Sequence, residues 1–234
     1  MINLLTQDPK MIGLAILIGL IPSLFWLWFW LKEDKEDPEP TGLLIFCFIF
    51  GMILVIITIP IQKLIQNIFS ENKMQIILWA SVEELLKYLV VIILVTKTKY
   101  LNKPIDWPIF LITVALGFAA LENILFLIKP LSLNQATIGL ITGQLRFLGS
   151  TLLHTVTSGI IGIALGLSFY MNKIKQNLYL FLGILIAIVL HSAFNFFIIN
   201  NNGSDFLKVF AFLWVATIIN LLLFEKLRRI SGTN

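Results

Sequence analysis

The chain has 234 residues, of which 58% are hydrophobic and 13% charged, and its mean hydropathy is +0.93. An ordinary soluble domain is about 45–50% apolar and about 25% charged, so this composition excludes a water-soluble globular protein and places most of the length in lipid. The net charge of +4 does not signal nucleic-acid binding, because the basic residues sit between apolar runs, where membrane topology accounts for them.

Apolar runs near the ~20 residues that a helix needs to cross a bilayer recur at about 11–31, 42–61, 74–96, 107–128, 148–171, 178–199 and 206–226. A signal peptide would be one such stretch at the start, not a series. The connectors are short and polar: KEDKEDPEPT, QKLIQNIFSEN, KTKYLNKP, the stretch 129–149, NKIKQN and NNGSD. Pro22 and Pro60 fall within or at the ends of spans, where neighbouring helices can repair the lost bond. Cys47, the one cysteine, lies in an apolar run, which excludes an intrachain disulfide and a cysteine metal cluster. Within 129–149, TIGLITGQL has the character of a short re-entrant or interfacial helix. Polar residues in the spans do not alternate with period two, as barrel strands require. The expected fold is therefore all-α: a polytopic transmembrane helical bundle of about seven spans, forming a single domain over 1–234. An eighth span would exist only if 129–149 hides one.

Lys and Arg set the orientation. With seven spans, one side collects Lys32, Lys35, Lys97, Lys99, Lys103, Lys173, Lys175, Lys226, Arg228 and Arg229, which makes ten. The other collects Lys10, Lys63, Lys73, Lys129 and Lys208, which makes five. The expectation is an N-terminus outside and a C-terminus in the cytoplasm.

Several polar residues sit deep in spans: Glu83, Glu84, Glu122 and both histidines, His154 and His191, accompanied by Lys87, Asn123, Arg146 and Asn195. An ionised side chain at bilayer centre costs about 2.5–3.5 kcal/mol on insertion scales, so such residues face the bundle interior or a watery cavity. At 1.5 Å rise per residue, Glu83 and Glu84 lie ~15 Å below the outer end of their span, Glu122 and His154 ~9 Å, and His191 ~12 Å. These depths let all five converge in the outer half of the membrane. Lys87 shares a helix face with both Glu83 and Glu84, and can pair with one while leaving the other free. His191 and Asn195 also share a face. Glu122 and Asn123 follow GFAAL, whose small residues allow a close helix approach.

A carboxylate stripped of water is a stronger base, so a buried glutamate can act as general base near neutral pH. Glutamates and imidazoles around one water make a hydrolytic centre, with an Asn amide as oxyanion donor. The same groups suit a metal such as zinc, whose catalytic sites use three protein ligands and a water. There is no HExxH motif and no aspartate deep in a span. TSGI at 157–160 fails as a serine-nucleophile motif, because Val156 stands where glycine is needed.

Four fragments carry a family resemblance: EELLK at 83–87, GFAALEN at 117–123, Arg146 with the following LLHTVTSGIIGIALG, and HSAFN at 191–195. In this order and spacing, over about 74–199, they resemble the PrsW family of intramembrane proteases. That family is distantly similar to the CAAX-prenyl endopeptidase and bacteriocin-processing group. In the latter the second motif reads FxxxH, whereas Phe118 to Glu122 reads FxxxE here. This departure fits PrsW and argues against a simple copy of the other group's metal-free mechanism. The resemblance implies a catalytic core at about 74–199 and cleavage of a membrane-anchored protein, such as an anti-sigma factor, in a bacterial plasma membrane. It implies Glu83 or Glu84 as general base, and Glu122 and His154 as groups that orient the water or a metal. His191 and Asn195 would complete the site, supported by Lys87, Asn123 and Arg146. A zinc site would draw on Glu84, Glu122, His154 and His191, with a metal-free glutamate mechanism as the alternative.

Each residue alone also has a structural reading. Glu83 with Lys87 makes an ion pair, His191 and Asn195 make interhelical hydrogen-bond glue, and GLAILIG and GIIGIALG make packing surfaces. Two other functions fit the same groups: a proton-coupled transporter, built from carboxylate–histidine chains, or an inactive binding or immunity protein. No inverted repeat supports the transporter.

Overall fold

The computed structural model describes residues 9–33, 38–132, 146–200 and 206–231. All regular structure among them is helical. In chain order the elements are α1 (Pro9–Glu33), α2 (Thr41–Ile68), α3 (Asn72–Leu94), α4 (Asp106–Ser132), α5 (Thr151–Leu167), α6 (Lys173–Asn200) and α7 (Phe206–Ser231). A π-helical turn, Arg146–Ser150, leads into α5. The whole of the stretch TIGLITGQL, like the rest of 133–145, lies outside the described residues.

Helices are what a lipid-buried backbone demands, because each satisfies its own N–H and C=O groups. Six of the seven (α1, α2, α4, α5, α6, α7) are long and apolar enough to cross a membrane. α3 is of similar length, but Glu83, Glu84 and Lys87 interrupt its apolar surface. The helix boundaries run past the apolar runs. α2 continues through Pro60 to Ile68, so QKLIQNI, expected as connector, is helix. Its end is held by Gln75, whose side chain donates to the Phe69 carbonyl at 2.6 Å. α6 likewise begins at Lys173 rather than near 178. Hydropathy marks where lipid begins, and a helix extends beyond that point as long as its backbone bonds remain available.

α4 and α5 form the core. Their membrane stretches are 78% and 72% buried inside the protein, against 28–33% for α1, α2, α6 and α7. The outer helices turn Leu17, Phe46, Ile56, Phe181 and Leu222 outward, as a lipid-facing surface requires. α4 packs against α1, α2 and α5, while α5 packs against α6 and α7. The tightest approach is between α2 and α4. A Cβ on Gly51 would overlap the Val114 carbonyl, and one on Gly117 would overlap the Phe48 carbonyl. Two glycines thus let these backbones touch, which is how membrane helices associate without a hydrophobic driving force. In GIIGIALG, Gly162 and Gly166 meet the chain at Pro108 and Pro104, so that stretch is a packing surface. Of GLAILIG, Gly19 meets Ile124 of α4, whereas Gly13 faces open space.

Candidate active site

Four helices and the π turn bring the deep polar residues together. Glu83, Glu84 and Lys87 come from α3, Glu122 and Asn123 from α4, His154 from α5 and His191 from α6. The rings of His154 and His191 lie 5.1 Å apart, close to perpendicular.

Glu84 is fully buried and saturated. Its Oε1 accepts from Lys87 Nζ at 2.9 Å, Thr157 Oγ1 at 3.0 Å and His191 Nδ1 at 2.7 Å. Its Oε2 accepts from Ser158 Oγ at 3.1 Å. The TSGI stretch, rejected as a nucleophile motif, therefore supplies two hydroxyls that hold this carboxylate. Lys87 also lies 2.9 Å from His154 Nδ1 and 4.6 Å from the Phe118 ring centroid. An ammonium can only donate, so His154 Nδ1 accepts and its proton sits on Nε2. That nitrogen donates to Glu122 Oε2 at 3.1 Å.

Glu122 Oε2 also pairs with Arg146 Nη2 and accepts from Ser150 Oγ at 3.2 Å. Arg146 Nε donates to Asn123 Oδ1 at 2.6 Å, and Asn123 Nδ2 donates to Thr151 Oγ1 at 2.8 Å. The guanidinium rests 4.0 Å from the Phe126 ring centroid. The π turn thus places one cation to clamp two successive residues of α4.

Glu83 differs from the other two carboxylates. Its Oε1 accepts from Gln62 Nε2 at 2.8 Å. Its Oε2 is buried with no hydrogen-bond partner among the described residues, 3.7 Å from His191 Nε2. The local charge balance explains this. Three carboxylates face two cations, and Lys87 and Arg146 pair with Glu84 and Glu122. Glu83 is left as the uncompensated acid. It lines a cavity of about 250 Å³ between α2 and α4, together with Thr58, Gln62 and Glu122.

Gln62 and the two hydroxyls were missed by sequence reasoning. Gln62 sits in QKLIQNIFSEN, which reads as a polar connector. Only the continuation of α2 past Pro60 carries it inward, where Trp79 Nε1 also donates to its carbonyl at 3.1 Å. Asn195, expected beside His191, is half-buried and makes no side-chain hydrogen bond among the described residues.

Comparison with known proteins identifies the family. Residues 39–223 match the family model described as PrsW family intramembrane metalloprotease. The chain belongs to the PrsW family. A relative named Protease PrsW from Clostridioides difficile is 28% identical over 218 residues, covering 90% of each chain. That of Geobacillus kaustophilus is 28% identical over 184 residues, 77% of this chain and 78% of the relative. That of Oceanobacillus iheyensis is 31% identical over 185 residues, 76% and 80%. No solved structure gives a significant match. The activity class of the PrsW family is proteolysis, and the chain is a multi-pass membrane protein.

The family description implies a metal, and the donor set fits one. Glu83, His154 and His191 each offer an atom, all within 4.8 Å of one another. His191 donates its other nitrogen to Glu84, the arrangement that orients metal-binding imidazoles and raises their basicity. Of the four ligands expected from sequence, His154 and His191 belong to this set. Glu84 has its oxygens occupied by four donors, and Glu122 Oε2 by three. Glu83 Oε2 is the buried carboxylate oxygen left without a partner among the described residues.

Proposed function

We propose that the protein hydrolyses a peptide bond of a membrane-anchored protein, an anti-sigma-factor-like single-span substrate, at a site in the outer half of a bacterial plasma membrane. The observation that carries this reading is Glu83: its Oε2 is buried and unpartnered among the described residues, an imidazole nitrogen lies 3.7 Å from that oxygen, and the residue lines a cavity. One water can bond both groups there, which is the reach a general base needs.

Glu83 Oε2 takes a proton from this water as its oxygen attacks the scissile carbonyl carbon. The proton then passes to the amide nitrogen as the C–N bond breaks, releasing an amine and a carboxylic acid. His191 holds the water through Nε2, because its Nδ1–H is committed to Glu84. Lys87, Thr157 and Ser158 fix Glu84, and so fix the His191 tautomer. Gln62 holds Glu83 through Oε1 and leaves Oε2 to the water. Asn195, four residues beyond His191, is the oxyanion donor in this scheme.

The second reading rests on the donor geometry. Glu83, His154 and His191 would hold a zinc ion, which supplies Lewis-acid activation of water and carbonyl when bound. His154 would join only by giving up its contact with Lys87 or Glu122. In that case Glu83 serves as ligand rather than base.

The test is purification in detergent, metal analysis, and cleavage of a single-span substrate by wild type, Glu83→Gln, Glu84→Gln and His191→Ala. All three substitutions are expected to abolish cleavage. Equal cleavage by all four proteins ends the protease reading, and substrate-dependent proton flux in liposomes would favour a transporter.

A further inference from the structure

We propose that the substrate reaches the site sideways from the lipid, through the crevice between α2 and α4, and seats one large apolar side chain there. This rests on the protease reading above and names the door and the chemistry that passes it.

α2 and α4 touch backbone to backbone at Gly51 and Gly117. About three turns further on, at Gln62 and Phe126, they line the cavity instead. The two helices therefore form a wedge, closed at the glycines and open toward the acids. The inner floor is Val55 and Phe118, both buried. The rim is Ile59 and Phe126, exposed by 37% and 56% on the lipid-facing surface. A path with apolar walls thus leads from lipid to Glu83.

Size and polarity select the occupant. A cavity of roughly 150 Å³ already admits benzene, and this one holds about 250 Å³. It has room for a large apolar side chain and some of the backbone beside it. A lipid chain would fill the apolar walls but bring nothing for the water between Glu83 and His191 to attack. A peptide brings a carbonyl to that water. The occupant is accordingly an extended apolar stretch of a membrane-anchored polypeptide.

The test places a benzophenone amino acid singly at Ile59, Phe126, Ile186 and Ile218, in membranes holding a single-span substrate. The last two are controls on α6 and α7, 51% and 54% exposed. Substrate adducts are expected to be at least fivefold more abundant at 59 and 126 than at the controls. Equal yields at all four positions, or adducts with lipid alone at 59 and 126, overturn the proposal. Crosslinking reads docking rather than hydrolysis. Cleavage by wild type without adducts at 59 and 126 would therefore remove the door and spare the protease reading. Specific adducts without cleavage of any substrate would do the reverse. In a second measurement, Ile59→Trp is expected to raise KM at least fivefold, and a loss confined to kcat would count against the crevice.

Discussion

Removing the charge of Lys87 tests the organisation of the site most directly. Lys87 and Glu84 are both completely buried, with Nζ 2.9 Å from Oε1. Lys87→Met preserves much of the volume but leaves Glu84 as a buried charge without its ammonium partner. Breaking a buried pair from one side costs about 3–5 kcal/mol, whereas replacing both partners with apolar residues is often close to neutral. The double variant Lys87→Met/Glu84→Met should therefore recover at least half of the loss. The recovery is incomplete because Ser158 and His191 then lack their Glu84 acceptor. Thr157 loses less, since its hydroxyl also bonds the Leu153 carbonyl at 3.0 Å. Cys47 provides the assay. It is the single cysteine and is completely buried, so a thiol-reactive fluorophore labels the protein only as it unfolds. The expected order of unfolding temperature is wild type, then the double variant, then Lys87→Met, with both variants inactive. A Lys87→Met protein as stable as wild type, or a double variant less stable than it, would refute the ion-pair account.

Gln62→Leu removes the hydrogen bond that orients Glu83. Such a bond to a charged group is worth about 1.5–3 kcal/mol, so kcat should fall roughly ten- to hundredfold while unfolding by Cys47 labelling changes little. An unchanged kcat would show that Glu83 needs no such support. Gly117→Val drives a side chain into the Phe48 carbonyl, and overpacking of this kind costs about 1–3 kcal/mol or more. Cys47 labelling at a clearly lower temperature is the expected result, and an unshifted midpoint would mean that α2 and α4 are not pinned there. For a zinc-loaded protein, Glu83→Ala and His191→Ala should lose metal stoichiometry by elemental analysis, whereas Glu122→Gln should retain it. Loss only in Glu122→Gln would move the site to the Arg146 side.

Much of the site was legible in the sequence because charge in lipid is costly. EELLK, Glu122, His154 and His191 stand out among apolar neighbours, and helical rise puts them at compatible depths. Lys87 could be seen to face both glutamates, but spacing could not say which one it takes. That choice was made by α5 and α6, which offer Thr157, Ser158 and His191 to Glu84 and leave Glu83 facing the cavity. Gln62 was hidden because a polar residue after a proline reads as connector, and helix continuation depends on neighbours packed against it.

By itself, then, the sequence determined that the chain is a helical membrane bundle, that it carries acids and imidazoles at matching depth, and that it bears the four family motifs. Periodicity and hydropathy are local properties of a chain, and they suffice for those conclusions. Only the tertiary structure decided which carboxylate Lys87 takes, which nitrogen of each histidine is spoken for, and which acid lines the cavity. Those are pairings between helices distant in sequence, and a hydrogen bond forms only where two groups meet within about 3 Å.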